Sequence, residues 1–138
     1  LAECKKQGWA IVKRLTGGGI VFHNEQELTY SLFLNKDHPL LPKGMIPSRN
    51  LMATILVKSL QQVGIKDVAI ASNQDLGNTR GEALCFARPT KYEIVVGDKK
   101  VIGNAQKRGR RSFFQHGSIC IKKNAPGTEK CLKGTAPF

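Results

Sequence analysis

The sequence predicts an α+β fold, with helices packed on a mainly antiparallel or mixed sheet. Three observations lead there. Short segments rich in β-branched, aromatic and apolar residues dominate the chain. One long segment switches to a helical period. No regular alternation of strand and helix announces a parallel βαβ sheet. With 138 residues and 41% hydrophobic side chains, the chain is long enough for one domain with a core of its own.

"WAIVKR" (9–14) and "IVFH" (20–23) read as short strands on either side of a run of glycines. "ELTYSLFL" (27–34) reads as a third strand. "NKDHPLLPKGMIP" (35–47) holds three prolines and a glycine and reads as a loop. From Ser48 the period changes. Leu51, Met52, Ile55, Leu56, Leu60 and Val63 fall on one helical face, with Ser48 as N-cap and Gly64 as C-cap. "DVAIA" (67–71) is a short strand, and "SNQDLGNTRGE" (72–82) is a polar loop. "ALCFA" (83–87) and "YEIVV" (92–96) are strand-like. Gly97-Asp98 turns the chain into "KKVIGNA", completing a hairpin. "SFFQHGSICI" (112–121) is the last strand, and the Pro- and Gly-containing stretch 122–138 reads as loosely ordered.

Charge is uneven. Residues 1–98 carry 12 basic and 9 acidic side chains, whereas residues 99–138 carry 10 basic and 1 acidic. Such a field favours a polyanionic partner. No apolar run is long enough to span a membrane, and no signal-peptide pattern opens the chain, so a cytoplasmic protein without a membrane partner is expected. Cys4, Cys85, Cys120 and Cys131 form no CxxC and match no zinc spacing, so no metal site is expected. Two disulfides remain an alternative to four reduced thiols, with reduced thiols favoured.

The stretch "RLTGGGIVFH" carries the first chemical signal. It lacks GxxxxGK[ST] and GxGxxG, so it is neither a P-loop nor a dinucleotide fingerprint. Gly17, Gly18 and Gly19 remove every Cβ and let the backbone approach a ligand. Their N–H groups suit an anion or a carbonyl oxygen. The alternative is a glycine-rich hairpin turn. The second signal is "CFARPTKYEIVVGDKKVIGNAQKRGRRSFFQHGS" (85–118). Cys85 and Lys100 lie on neighbouring predicted strands, and a thiol needs a nearby cation to become a thiolate at neutral pH. "GNAQ" (103–106) offers a second close approach to backbone.

In this order, "KRLTGGGIVFH", "ELTYS", "CFARPTKYEIVVGDKKVIGNAQKR" and "QHGSI" resemble the lipoate–protein ligase and octanoyltransferase superfamily, and within it the cysteine-dependent octanoyltransferase branch. The resemblance implies a biotin/lipoate protein ligase-like, class II synthetase-like catalytic domain, with residues 1–121 as its central part and 122–138 as a truncated end. It also implies transfer of octanoyl from acyl carrier protein, through a thioester on Cys85, to a lysine of a lipoyl domain or glycine-cleavage H protein. Lys100 then lowers the Cys85 pKa. Arg14, Gly17, Gly18, Gly19, His23, Gly103, Asn104 and Ala105 line the substrate, with His23 in a structural or positioning role rather than as general base. Both protein partners are acidic in this family, matching the basic C-terminal region. No cofactor is implied for the transferase.

The alternative branch is an ATP-dependent lipoate–protein ligase, which implies ATP and Mg, with Lys100 on the carboxylate and phosphate and Cys85 a bystander. Gly19 stands where the cysteine branch often has arginine, and Asn24 where aspartate is common. A third reading is a nucleic-acid-binding module. "KKVIGNAQKRGRR" (99–111) carries six basic residues, with Phe113 and Phe114 close by for stacking. The order of the motifs argues against it. Cys120 and Cys131 are taken as structural or incidental.

Overall fold

The computed structural model describes residues 2–71 and 92–122. The expected loop at 72–82, the strand at 83–87, Cys85 and nearly all of the C-terminal segment, Cys131 included, lie outside them. A short helix, α1 (Ala2–Lys6), opens the described chain. β1 (Glu27–Asn35) follows, then α2 (Met45–Gln62), β2 (Val68–Ile70), β3 (Ile94–Val96), β4 (Lys99–Arg108) and β5 (Ser112–Cys120).

The strands form one sheet in the order β1-β5-β4-β3-β2, and every pair is antiparallel. Period-2 alternation gives the sheet two chemically different faces. One face packs under α2. Ala53 of the helix meets Val68, Ile94 and Ile102, with Leu56, Val57 and Leu60 beside them. A second cluster joins Met52 to Leu41 and Phe113. Phe113 is fully buried, and burial of such a side chain is worth about 1.5–3 kcal/mol.

A polar chain threads the same interface. The Ser48 hydroxyl donates to Gln106 Oε1 at 3.1 Å, Gln106 Nε2 donates to Gln115 Oε1 at 2.6 Å, and Gln115 Nε2 donates to the Tyr30 hydroxyl at 3.0 Å. Ser48 and Gln115 are fully buried, and each has partners, as buried polar groups require. Burial pushes the Tyr30 phenol upward, opposed by its bond from Gln115.

Two expectations are corrected here. Residues 9–14 and 20–23 are not strands; Ile20 alone makes an isolated bridge. Among the described residues, their β-branched side chains have no neighbouring strand to pair with, and Ile11 and Val12 stay exposed. The helix also starts earlier than Ser48. Gly44 takes the N-cap position at φ 99°, and Pro47 sits in the first turn, where its missing N–H costs nothing. Ser48 is therefore inside the helix, and its hydroxyl contacts the Gly44 and Met45 carbonyl oxygens. Ile55 and Val63 of the expected apolar face are exposed, while Ala53 is buried.

The other end follows expectation more closely. Gly64 follows the cap residue Val63 at φ 89°, with Ile65 N–H bonded to Leu60 O and Gly64 N–H to Gln61 O, the closing pattern that favours glycine. Gly97 supplies the positive φ of the β3–β4 turn. Among the described residues, no helix is long and apolar enough to cross a membrane.

Candidate active site

The sheet face opposite α2 collects the chemistry. Register places Glu27, Thr29, Ser31 and Phe33 of β1 on this face with Phe114, His116 and Ser118 of β5. Gly103, Ala105 and Lys107 of β4 complete it. Asn104 alternates to the helix side, opposite Gly117, together with Ile102 and Gln106.

Lys100 joins the open face through an irregularity in the ladder. Ile94 pairs with Ile102, but Val95 pairs with Lys100, leaving Val101 as an extra residue in β4. Val101 packs with Ile102 on the helix side. Lys100 therefore turns to the other face, the re-aiming that a β-bulge produces. Its ammonium donates to Glu93 Oε1 at 2.6 Å, and its side chain is only 1% exposed. The distance from Lys100 to Cys85 lies outside the described residues.

The glycine run crosses this face as irregular backbone. Arg14 Nη2 donates to the Gly19 carbonyl at 2.9 Å. The guanidinium covers Gly18, where a Cβ would lie 2.5 Å from Nη2, and Gly18 has φ 112°. Only glycine suits that position. Among the described residues, a Cβ on Gly17 would meet nothing within 4 Å.

Two polar ties bracket the glycines. Before them, Thr16 Oγ1 and His116 Nε2 share a hydrogen bond of 2.6 Å. After them, His23 Nδ1 donates to Glu27 Oε2 at 2.8 Å, and Ser118 Oγ donates to the same oxygen. The first tie ends on His116 of β5 and the second on Glu27 of β1, whose oxygen Ser118 of β5 also binds, so the paired strands β1 and β5 hold both ends of the loop. The Glu27 side chain is 3% exposed, so its two donors compensate a largely buried carboxylate. The His23 ring itself is 56% exposed.

Local electrostatics act on two more groups. Burial, then the charges of Arg14 and His23, push the His116 imidazole below its ordinary range and favour its neutral form. Burial and the Glu27 carboxylate push the Cys120 thiol upward, and its Sγ donates to Lys122 O at 2.8 Å. Cys120 is thus held as a thiol.

The basic stretch divides by strand parity. Lys107 lies on the open face, where it lines a shallow cavity of about 200 Å³ with Leu15, Phe33 and Phe114. Arg108 turns the other way. Its Nη2 donates to Pro42 O at 2.8 Å and Gly44 O at 3.0 Å, and its guanidinium lies 5.2 Å from the Phe113 ring centroid. It fastens the loop leading into α2 rather than presenting charge to a partner.

The structure thus brings Arg14, Gly17, Gly18, Gly19, His23, Lys100, Gly103 and Ala105 to one sheet face. Sequence reasoning missed Thr16, Glu27, His116 and Ser118. His116 and Ser118 were visible as a two-residue spacing within "QHGS", but their partners lie about a hundred residues away. Among the described residues, no group of three or more His, Cys, Asp or Glu side chains is arranged to hold a metal ion.

Comparison with known proteins places this arrangement. Residues 1–137 match the family model of the lipoyl protein ligase A/B catalytic domain. The chain is 38% identical over 125 residues to octanoyltransferase LipM of Brevibacillus brevis, covering 88% of this chain and 45% of that protein. It is 39% identical over 134 residues to octanoyltransferase LipM of Moorella thermoacetica, covering 96% of this chain and 48% of that one. The chain thus spans about half the length of the curated relatives it matches. In structure it is similar to a T. acidophilum protein described as a lipoate protein ligase with bound lipoic acid, with TM-score 0.69, 22% identity, and 89% of this chain and 45% of that chain covered. A lipoate-protein ligase A bound with ATP superposes with TM-score 0.68 at 22% identity, covering 89% and 44% of the two chains. At that identity the structural likeness speaks for the fold, which is the one the sequence resemblance implied.

Proposed function

The chain belongs to the lipoyl protein ligase A/B catalytic-domain family, and from that premise we propose that it carries the reaction centre of a cysteine-dependent octanoyltransferase acting in protein lipoylation. The observation that carries the reading is one shared surface. A tied glycine loop, the small residues Gly103 and Ala105, and the buried ammonium of Lys100 face the same side of the sheet. The relatives at 38–39% identity, named octanoyltransferase, support the same reading.

The proposed chemistry has two steps. The Cys85 thiolate attacks the thioester carbonyl of octanoyl-acyl carrier protein, and the carrier's thiolate leaves. The acyl-enzyme thioester then meets a lysine ε-amine of a lipoyl domain or H protein. The amine forms the amide and releases the Cys85 thiol, its proton passing to solvent or to that sulfur. Splitting the transfer in this way is nucleophilic catalysis. Lys100 stabilises the thiolate. Backbone N–H groups of the glycine loop and of Gly103–Ala105 stabilise the oxyanion of both tetrahedral intermediates, at about 2.7–4 kcal/mol for a well-placed donor.

In this reading the reaction uses neither ATP nor Mg, and the setting is the cytoplasm. The ligase reading differs in one requirement, since activation of free lipoate consumes ATP. The test compares wild type with Cys85→Ala and Cys85→Ser, measuring octanoyl transfer to a lipoyl domain without ATP. Loss of transfer in both variants, with an intact fold, supports the covalent mechanism. Normal turnover in Cys85→Ala, or transfer of lipoate only when ATP is supplied, contradicts it.

A further inference from the structure

Among the described residues, no strand ladder holds the glycine loop. From Trp9 to Asn24 the chain forms neither helix nor strand beyond the single bridge at Ile20, and Gly17, Gly18 and Gly19 are all exposed. Ordering each such residue costs about 1–2 kcal/mol of backbone entropy. The bond from Arg14 to Gly19 O shapes the loop internally but does not fasten it to the sheet. The tie through His23 and Glu27 fastens only the end beyond the glycines. The near end is fastened through Thr16, which is 8% exposed, and its partner is His116.

The His116 ring is itself held in place. It stacks on Phe114 with centroids 5.0 Å apart and parallel planes. Phe114 in turn stacks on Phe33 at 4.4 Å. This stack fixes the plane of the imidazole, and Nε2 is aimed at the Thr16 hydroxyl at 2.6 Å. A side chain locked by packing and hydrogen-bonded to a loop is the arrangement that pre-organises a site.

We infer that Thr16 and His116 form a latch that positions the glycine loop against the reaction face, which makes both of them positioning residues for acyl transfer. The inference rests on the octanoyltransferase reading for its kinetic consequence, but the latch itself is independent of it. His116 touches no reacting group in this account. It acts through Thr16 on the loop whose N–H groups meet the acyl carbonyl.

The test uses the full chain and four variants: Thr16→Val, Thr16→Ser, His116→Phe, and the Thr16→Val/His116→Phe double. His116→Phe keeps a ring to stack on Phe114 and removes Nε2. Amide hydrogen exchange at Gly17, Gly18 and Gly19 is read first. The latch predicts exchange faster by about tenfold, the size of one lost hydrogen bond, in Thr16→Val and in His116→Phe. The double variant is no faster, because the two changes break one contact. Thr16→Ser exchanges like wild type.

Octanoyl transfer is read second. The latch predicts that kcat falls by about the same factor in the three unlatched variants, with KM for the protein acceptor unchanged, and that Thr16→Ser retains kcat. Wild-type exchange rates at the glycines in Thr16→Val or His116→Phe overturn the latch. Accelerated exchange with undiminished kcat overturns the positioning role. Absence of transfer by the wild type overturns the octanoyltransferase reading, while the exchange measurement still decides the latch.

Discussion

The Lys100 ammonium lies 2.6 Å from the Glu93 carboxylate, with the lysine side chain only 1% exposed and the glutamate side chain 15% exposed. The proposed activator of the nucleophile is therefore already half of a buried ion pair. The carboxylate offsets part of the ammonium's field on any neighbouring thiol.

That pairing decides how Lys100 is to be tested. Lys100→Met alone leaves Glu93 without its lysine, and breaking a buried pair on one side costs about 3–5 kcal/mol. Lys100→Met/Glu93→Gln removes both charges together. The double variant is expected to stay folded and to raise the Cys85 thiol pKa by about one unit or more, roughly 1.4 kcal/mol per unit. Glu93→Gln alone is expected to lower it. Iodoacetamide alkylation of the Cys85 peptide, followed against pH by mass spectrometry, reports both shifts. Identical profiles in all three proteins would separate Lys100 from Cys85.

Gly117 is expected to resist substitution. A Cβ there would lie 2.6 Å from Tyr30 Cε1 and 2.7 Å from the Gly103 carbonyl oxygen, and the latter is backbone of the adjacent strand. Gly117→Ala should destabilise the fold by about 1–3 kcal/mol, the usual cost of overpacking. Denaturant unfolding measures it, and unchanged stability would show that Tyr30 and β4 relax freely.

The basic stretch 107–111 is expected to divide in function as it divides in geometry. Lys107→Glu with Arg110→Glu should raise KM for an acidic protein substrate and weaken its dependence on salt, with stability unchanged. Arg108→Ala should instead lower stability, because its bonds to Pro42 O and Gly44 O are charge-assisted, a class worth about 1.5–3 kcal/mol each. Equal effects of the two substitutions on KM would refute the division.

His116 predicts a pH dependence of folding. Its folded-state pKa lies below the ordinary imidazole value, chiefly through burial. Over the window between the two values, the unfolded chain binds more protons than the folded one, so stability falls as pH falls. Below the folded-state pKa both forms are protonated, and the loss stops. Unfolding midpoints from pH 8 down to pH 5 should show this slope in wild type and a shallower one in His116→Gln. An identical slope in the variant would assign it to other groups.

Much of the scaffold was legible because it rests on local composition and turn chemistry. The apolar, aromatic and β-branched content of "ELTYSLFL" marked β1, "SFFQHGSICI" read as β5, and the Gly97-Asp98 turn marked the β3–β4 hairpin. The segments around the glycines misled for a physical reason. β-branched content marks a strand only when a neighbour completes its ladder, and residues 9–14 have none among the described residues. The helix start misled because Pro47 suits a first turn as well as a loop. The facing of Lys100 was not legible, since it depends on one extra residue in β4. Nor were the ties from Thr16 to His116 and from Glu27 to Ser118, which join residues that no local pattern connects.

The central claim is that Cys85 carries the acyl group. The most direct measurement is intact and peptide mass spectrometry of the chain after incubation with octanoyl-acyl carrier protein in the absence of ATP. The account predicts a mass gain of one octanoyl group, mapped to the Cys85 peptide, absent in Cys85→Ala and discharged on addition of a lipoyl domain. An unmodified chain, or an octanoyl group that maps elsewhere and persists in Cys85→Ala, would contradict it.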